Sequence, residues 1–283
     1  IHVNNEPLCN RGGLLAGRVL GIPTVCHVRG NQEGSAAMRW FYRLPTHFIP
    51  VSQWVSESIG LLGVPSERRT VIYDGLELEK LDVEADGQAF RRAFDIPQDA
   101  FVVGLVGLLI PWKGQEMFLD AAHLLRERIP GLRMLIIGGT PEECQGYEAK
   151  LRARVAQEGL EDVVMFTGHV SDMPTVYNGL DVVVSASTSP EPLGTVVIES
   201  MALGRALVAP SHGGAAEMAI HEETALLFRP GDAEDFAEKV AEFHDNPETG
   251  ARIGAAAREH ALATFHVRTH AEKVQAIYDR LLD

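Results

Sequence analysis

Short apolar runs rich in β-branched residues alternate along the chain with longer segments in which apolar positions recur at the helical period. In the segment from Met117 to Leu125, for example, apolar residues stand three and four positions apart and form one stripe. This alternation is typical of βα units built around a parallel sheet, with helices that cover its faces. The pattern therefore predicts an α/β fold.

The first part of the chain predicts a thin half-sheet. Four runs have strand character and two stretches between them have helical character: strands at IHVN (1–4), TVCHV (24–28), HFIPVS (47–52) and TVIYDG (70–75), and helices at 13–20 and 53–61. The charged stretch from Leu78 to Asp99 then loses strand character and ends in an Ile-Pro-Gln-Asp turn, which indicates a domain crossing. We therefore predict a partial first domain over residues 1–87 and a second domain over residues 88–283.

The second part predicts a larger and more regular sheet. Its six strands, each followed by a helix or a turn, are FVVGLVG (101–107), MLIIGG (134–139), VVMFTG (163–168), DVVVSAS (181–187), ALVAP (206–210) and ALLF (225–228). The last helix, at about 267–283, carries an apolar stripe from Ala271 to Leu282, and we expect it to cross back to the first domain. The first residue is Ile1 and IHVN already has strand character, so we also expect the polypeptide to begin inside a domain.

Composition excludes several classes of partner. The 283 residues, 46% of them hydrophobic, can bury a large core, and 25 Lys and Arg against 39 Asp and Glu give a formal net charge of -14. Such a charge repels phosphate backbones and anionic membrane surfaces, so nucleic acid is not an expected partner. No run reaches the 18 or so apolar residues that a membrane span requires, and no signal-peptide pattern is present.

The cysteines indicate neither a disulfide framework nor a zinc site. Cys9, Cys26 and Cys144 are an odd number at unrelated spacings. This usage fits a reducing, cytoplasmic compartment. No spacing of His, Cys, Asp or Glu predicts a metal site either.

The most informative segment is SPEPLGTVVIESMALGRALVAP, which predicts a loop followed by a helix from about Gly194 to Leu203. The helix is apolar nearly all round, so Glu199 would be a carboxylate in a buried element, where it needs partners. Glu191 precedes the helix, and Glu199 lies about 6 Å along the axis from Thr195 at a rise of about 1.5 Å per residue. A carboxylate accepts two hydroxyl donors, which suits the vicinal diol of a ribose or a hexose.

The start of this helix is also suited to an anion. The amides of Leu193, Gly194 and Thr195 open the helix beside the positive end of its dipole. One loop could then hold sugar, phosphate and ribose. The spacing alone leaves a structural alternative open, in which Glu191 is a solvated loop residue and Glu199 caps or bridges within the core.

Two further positions have functional potential. In VGLLIPWKGQEMF a predicted strand ends at Gly107, and a lysine, Lys113, opens the next helix; glycine lets the backbone approach a ligand, and lysine suits a phosphate. His27, in VCHVRGN, stands at the carboxyl end of another predicted strand. A plain surface role for Lys113 and a structural role for His27 are the alternatives.

The segment with the two glutamates resembles the Glu, seven residues, Glu signature of retaining glycosyltransferases of family 4. The GGxxE motif at 213–217 and the LLF and PGD pieces at 226–232 follow in the family's order. The resemblance implies the GT-B fold, two Rossmann-like domains that face a cleft, with the first domain incomplete here. It also implies that Glu191 contacts the hydroxyls of the donor sugar and Glu199 the nucleotide ribose.

Other segments resemble the family with departures. The family has an arginine and a lysine that clamp the donor diphosphate; Lys113 matches the lysine, but Leu108 stands at the arginine position. Arg29 and Arg205 are the candidate substitutes for that cation. Asp74 stands where the family usually has an asparagine.

The resemblance assigns the remaining positions of the site. A histidine at the position of His27 reaches the donor sugar and its phosphate, and the backbone of His169 and Val170 falls where such enzymes hold the base. The resemblance thus implies catalytic roles for Glu191, His27 and Lys113. The implied donor-binding residues are Glu199, Leu193, Gly194, Thr195, Gly107, His169 and Val170.

The implied reaction is the transfer of a hexosyl group from a nucleoside diphosphate sugar to an acceptor hydroxyl, with retention at the anomeric carbon and without a cofactor or a metal. UDP-, GDP- and ADP-sugars are all candidate donors, and the acceptor is unknown. Any peripheral membrane contact would depend on the part of the family's first domain that normally precedes this sequence. Two alternatives stay open: a sugar-nucleotide epimerase or phosphorylase of the same fold, and a non-catalytic fragment that binds nucleotide sugar.

Overall fold

The computed structural model describes residues 1–33 and 38–283, and the chain divides into two compact units. The first unit comprises Ile1–Glu77, Glu191–Leu193 and Thr264–Asp283, and the second comprises Leu78–Pro190 and Gly194–Ala263. The chain first passes from one unit to the other at Leu78, and the predicted boundary after residue 87 stays a prediction. Among the described residues, no helix combines the length and the apolar character that a bilayer span requires.

The first unit is built on a parallel sheet that, within the described residues, has three strands in the order β1-β2-β3. Its elements are β1 (His2–Asn5), α1 (Arg11–Leu20), β2 (Val25–Val28), a 3-10 helix (Met38–Arg43), β3 (His47–Pro50) and α2 (Gln53–Leu61). Every residue of β2 and β3 is buried, as expected for parallel strands covered on both faces. The side chain of Ser52 caps α2, because its Oγ accepts a hydrogen bond from Val55 N at 3.2 Å.

The predicted strand TVIYDG (70–75) is wrong as a regular strand. Thr70 N and Ile72 N donate to two carbonyls of β3 at 3.0 and 3.1 Å, but residues 70–75 form no strand, and the isolated bridge to β3 lies just before them, between Arg69 and Phe48. Beyond Ile72 the backbone bonds to the carboxyl-terminal segment instead, because His270 Nδ1 donates to Tyr73 O at 2.9 Å. The local pattern correctly indicated an extended segment, but halfway along the segment its bonding partner changes from β3 to the carboxyl-terminal segment.

The last helix of the chain belongs to the first unit. The helix α11 (Val267–Leu282) packs its buried residues Val274 and Ile277 against a cluster that contains Val25 and Ile49 from the sheet. Its apolar stripe therefore covers one face of the small sheet.

The second unit contains a six-stranded parallel sheet, all of it within the described residues, in the order β6-β5-β4-β7-β8-β9. The strands are β4 (Val102–Val106), β5 (Arg133–Ile137), β6 (Val164–Gly168), β7 (Val182–Val184), β8 (Ala206–Pro210) and β9 (Leu226–Phe228). The helices are α3 (Gly87–Ala93), α4 (Gln115–Arg128), α5 (Gln145–Gln157), α6 (Met173–Asn178), α7 (Thr195–Ala202), α8 (Gly213–Met218), α9 (Ala233–Asp245) and α10 (Pro247–Thr264). The six predicted strands and the predicted helix at 194–203 are thus present, most of them slightly shorter than predicted.

Aromatic residues link the helices of one face to this sheet. The ring of Phe236 on α9 lies 5.9 Å from that of Phe118 on α4 and 5.3 Å from that of Phe228 on β9, measured between centroids. All three side chains are fully buried. Their packing fixes α4, and with it the loop that leads into α4, on the sheet.

A buried arginine organises the amino edge of the same sheet. Arg91 on α3 donates to Gly179 O at 2.9 Å, to Ala100 O at 3.0 Å and to Asp181 Oδ2 at 2.8 Å. Asp181 also accepts from Val102 N at 2.7 Å. One guanidinium therefore ties α3, the segment after α6 and the start of β4 together.

Candidate functional site

The carboxyl edge of the six-stranded sheet has a topological switch between β4 and β7. The chain leaves β4 for β5 and β6 on one side and leaves β7 for β8 and β9 on the other. In open parallel sheets, ligands bind outside the carboxyl ends of the strands at such a switch. The two loops that meet there are 107–114, which carries Lys113, and 185–194, which ends at Gly194.

Two backbone contacts hold these loops against each other. Thr188 N donates to Trp112 O at 2.8 Å. Gly114 has a left-handed φ of 81° and lies so close to the second loop that a β-carbon built on it would be 1.9 Å from Ala186 O. The close approach therefore requires glycine at position 114, next to the candidate lysine.

Lys113 is half-buried at the end of a 3-10 turn, Pro111–Lys113. Its Nζ lies 4.7 Å from the centroid of the Trp112 ring, a cation–π geometry. Its stem passes Gly107, because a β-carbon built on Gly107 would be 3.6 Å from Lys113 Cδ. The structure thus places a cation beside the glycine that ends β4.

The loops after β5 and β6 complete this edge. A β-carbon on Gly138 would be 1.9 Å from Gly107 O, and Leu109 N donates to Gly139 O at 3.1 Å. His169 Cβ is 3.5 Å from the position that a β-carbon on Gly139 would take. His169 is exposed, and the next residue, Val170, is half-buried. Sequence reasoning missed Gly138 and Gly139, although a glycine pair directly after a buried strand was the available signal.

Glu199 lies in the second turn of α7, and its carboxylate has a buried partner. The hydroxyl of Tyr177 on α6 donates to Glu199 Oε2 at 2.7 Å. Burial raises the pKa of Glu199, and the bond from Tyr177 lowers it to a smaller extent. Ser200 is fully buried, and its Oγ has no hydrogen-bond partner among the residues that the structure describes. Sequence reasoning predicted a carboxylate in a buried helix but missed Tyr177.

The residues at the start of α7 divide between the two units. Gly194 offers no side chain as an N-cap, so no side chain caps the amides of the first turn, which begins at Thr195. Gly194 and Thr195 belong to the second unit, with Lys113, whereas Glu191 and Leu193 belong to the first. Glu191 is half-buried, and the side chain of Leu193 packs against the core of the first unit.

Neither candidate for the missing cation lies free at the carboxyl edge of the described sheet. Arg205 directly precedes β8, so it stands at the amino edge, where it donates to Leu180 O and lines a cavity of about 530 Å³ with Arg91. Arg29, in the first unit, forms an ion pair with Asp74. Strand direction therefore excludes Arg205 from the carboxyl edge, and Arg29 already has a counter-charge.

His27 lies at the centre of a cluster of ionisable groups in the first unit. Its side chain stacks on His270, with ring centroids 5.5 Å apart and planes inclined by 14°, and its centroid lies 5.7 Å from that of His2. Among the described residues His27 Nε2 has no hydrogen-bond partner, and it lies 3.8 Å from Asp74 Oδ1. Burial, with the charge of Arg29 and the two histidines, lowers the pKa of His27 to about 3. His27 is therefore a neutral ring with an unsatisfied nitrogen.

These histidines do not form a metal site. The part of the chain that the structure describes contains no group of three or more His, Cys, Asp or Glu side chains that could hold a metal ion. The cluster is suited instead to hydrogen bonding through a neutral imidazole.

Residues 86–260, which cover most of the second unit with its switch-point loops, match the family model described as glycosyl transferases group 1. The chain belongs to this family. The group 1 glycosyltransferase domain thus contains Gly107, Lys113, His169 and Glu199. The α/β architecture of the chain, with its parallel sheets, matches that of GT-B glycosyltransferases, which confirms the predicted fold class.

Two curated glycosyltransferases illustrate the relationship. The chain is 32% identical over 203 residues to the D-inositol 3-phosphate glycosyltransferase of Saccharomonospora viridis, a match that covers 70% of this chain and 46% of that protein. It is 27% identical over 223 residues to the lipopolysaccharide core biosynthesis mannosyltransferase LpsB of Rhizobium meliloti, with 78% and 62% covered. The chain therefore spans about half the length of the curated relatives that it matches.

A solved structure resembles nearly the whole chain. The crystal structure of Anabaena HepE in complex with UDP has a TM-score of 0.91 and 25% sequence identity to this chain, and the match covers 99% of this chain and 78% of that one. The resemblance extends beyond the family match into residues 1–85.

Proposed function

We propose that this chain carries the donor site of a retaining glycosyltransferase, which transfers a hexosyl group from a nucleoside diphosphate sugar to an acceptor hydroxyl. The observation that carries the proposal is the switch between β4 and β7, where the loop of Lys113 meets the loop that leads into α7. A lysine and a set of amides without a side-chain cap suit a diphosphate, whose negative charge grows as the sugar leaves. Glu199, one turn further along α7, suits a ribose hydroxyl.

The comparisons support a nucleotide sugar as the donor. HepE was crystallised with UDP and, in another crystal, with UDP-glucose. UDP is therefore the first nucleotide to test, with GDP and ADP beside it. The backbone of His169 and Val170, on the loop after β6, is the position that we assign to the base.

The proposed reaction needs stabilisation of charge more than a separate acid and base. The bond from the anomeric carbon to the phosphate oxygen breaks, a bond to the acceptor oxygen forms on the same face, and the leaving diphosphate takes the acceptor proton. Lys113 and the dipole of α7 stabilise the diphosphate. Glu191 orients the donor sugar and His27 donates a hydrogen bond to the donor; both roles rest on the family resemblance.

The leucine at position 108 makes Lys113 more important than in the family pattern. Lys113 is the basic residue that the loop 107–114 contributes. A second cation at Leu108 would add a charge-assisted contact of about 1.5 to 3 kcal/mol. We therefore expect weaker diphosphate binding than in relatives with both cations, and a large dependence on Lys113.

A binding experiment tests the donor site. A thermal-shift screen of UDP-, GDP- and ADP-sugars identifies the nucleotide, and calorimetry then measures its Kd for the parent chain and for Lys113→Ala. Loss of one charge-assisted contact raises the Kd by about 10- to 100-fold. Lys150→Ala is the control, because Lys150 pairs with Glu116 on the surface at 2.9 Å and its loss leaves the Kd unchanged. An unchanged Kd for Lys113→Ala would refute the phosphate role.

A transfer experiment tests the reaction. Proton NMR of the product reports the anomeric configuration, and Glu191→Gln is expected to lower turnover by orders of magnitude without preventing nucleotide binding. A near-normal turnover would exclude Glu191 from the reaction. Nucleotide binding without transfer to any acceptor would instead support the alternative of a non-catalytic binding fragment.

A further inference from the structure

Tyr177 is a buried side chain whose single polar group contacts Glu199, the residue proposed to bind the ribose of the donor. Tyr177 is 0% exposed, and its hydroxyl lies 2.7 Å from Glu199 Oε2. Burial and the nearby carboxylate raise the pKa of Tyr177 well above its ordinary value, so its hydroxyl keeps its proton and is the donor of this bond. The bond leaves Glu199 Oε1 and the remaining lone pairs of the carboxylate for a ligand.

The surroundings of this pair give no packing reason for it. The neighbouring residues of α7, Val197, Ile198 and Met201, are fully buried and apolar. A phenylalanine at 177 and an apolar residue at 199 would fill similar space without the cost of burying a hydroxyl and a carboxylate. A half-buried carboxylate that accepts a hydrogen bond from a buried donor, as Glu199 does from Tyr177, is typical of a ligand-binding group whose orientation is fixed by a supporting residue.

The helix that carries Tyr177 is capped at its start and bonded to the segment 82–85 at its end. At its start, Asp172 Oδ2 accepts from Thr175 Oγ1 at 2.7 Å. At its end, the side-chain amide of Asn178 donates to Asp82 O at 3.2 Å and to Ala85 O at 3.1 Å. Tyr177 therefore lies on a fixed support, and the hydrogen bond restricts the glutamate more than it restricts the tyrosine.

We propose that Tyr177 is a positioning residue for donor binding: its hydroxyl fixes the Glu199 carboxylate in the orientation that accepts the ribose hydroxyls. Fixing the flexible glutamate before the ligand arrives reduces the side-chain ordering that binding would otherwise require. This inference rests on the proposed donor site, and it adds a residue, 22 positions away in the sequence, that the ribose interaction depends on.

The test compares UDP with 2′,3′-dideoxyuridine 5′-diphosphate, or the corresponding GDP or ADP pair if the screen selects that nucleotide. Calorimetry measures both Kd values for the parent chain, Tyr177→Phe and Glu199→Gln. We expect Tyr177→Phe to raise the Kd of UDP by about three- to tenfold, the effect of about one hydrogen bond, and to change that of the dideoxy nucleotide by less than about twofold. A merely structural role would weaken both nucleotides equally.

Tyr147→Phe is the matched control, because Tyr147 is the other tyrosine of the second unit and its hydroxyl donates to Gln115 Oε1 at 3.3 Å. It should leave the ratio of the two Kd values unchanged. Should Tyr177→Phe not fold, Tyr177→Met removes the same hydroxyl with a more adaptable side chain, leaves Glu199 in place and is expected to reduce the same ratio.

The outcomes separate the inference from the proposed function. If Glu199→Gln reduces the preference for UDP and Tyr177→Phe does not, the role of Tyr177 is overturned and the donor site stands. If Glu199→Gln leaves the preference unchanged, the ribose role of Glu199 is wrong and the inference falls with it. Equal weakening of both nucleotides by Tyr177→Phe also overturns the inference.

Discussion

Replacing Gly114 by alanine tests the close approach of the two loops at the switch between β4 and β7. The new β-carbon would be 1.9 Å from Ala186 O, whereas real β-carbons essentially never approach another heavy atom within 3.0 Å. One of the two loops must therefore move by about 1 Å, a displacement of the kind that overpacking produces at a cost of about 1 to 3 kcal/mol. The left-handed φ of 81° adds about 1 to 2 kcal/mol for any residue with a β-carbon.

Gly131→Ala separates the two contributions. Gly131 has a similar φ of 73°, but a β-carbon there meets nothing within 4 Å. We expect a loss of about 1 to 2 kcal/mol for Gly131→Ala and of about 2 to 5 kcal/mol for Gly114→Ala in the free energy of unfolding. At about 2 to 4 °C per kcal/mol, the difference between the two variants lies within reach of a melting experiment.

The assay combines thermal unfolding, followed by circular dichroism, with nucleotide titration. Gly114→Ala should also weaken nucleotide binding, because the displaced loop carries Lys113, whereas Gly131→Ala should bind nucleotide normally. Equal melting temperatures for the two variants would show that the close contact with Ala186 does not exist. Normal nucleotide binding by a destabilised Gly114→Ala would separate the loop contact from the donor site.

Two further predictions concern stability. Arg91→Lys should lower the free energy of unfolding, measured by urea denaturation, by about 3 kcal/mol, because one ammonium group cannot replace the bonds of the guanidinium to Asp181 and the carbonyls. Arg92→Lys, on the surface, is the control and should lower it by less than about 1 kcal/mol. Similar losses for the two variants would refute the role of the buried network. The pKa of His27 is about 3 in the folded chain and about 6.5 in the unfolded chain. Between these two pH values only the unfolded chain binds the proton, so the free energy of unfolding falls by roughly 2 kcal/mol from pH 6.5 to 5. His27→Gln should remove the contribution of His27 to this pH dependence and leave that of His47, whose lowered pKa of about 4 acts in the same direction. Parallel curves of the free energy of unfolding against pH for parent and variant would contradict the prediction.

The sequence alone determined the second sheet and the candidate binding residues at its edge. Its strands are apolar on both faces and are bounded by glycine and polar residues, so local composition was enough to find them, and β8 has the predicted bounds. The motifs around Lys113 and Glu199 likewise identified candidate ligands of phosphate and ribose. The same reasoning failed for 70–75, because strand character shows that a segment prefers an extended backbone but not which partner it bonds to.

Only the tertiary structure decided the strand order and the contacts that depend on it. The order places β4 beside β7, which brings the loop of Lys113 against the loop of Gly194 and places Arg205 at the opposite edge. A hydrogen bond from α6 to α7 pairs Tyr177 with Glu199, and neighbouring strands bring Gly138 close to Gly107. These contacts join residues far apart in the chain, and their energies come from packing and hydrogen bonding between elements. Local sequence patterns report the preferences of single elements, so they predicted the parts of this site but not its arrangement.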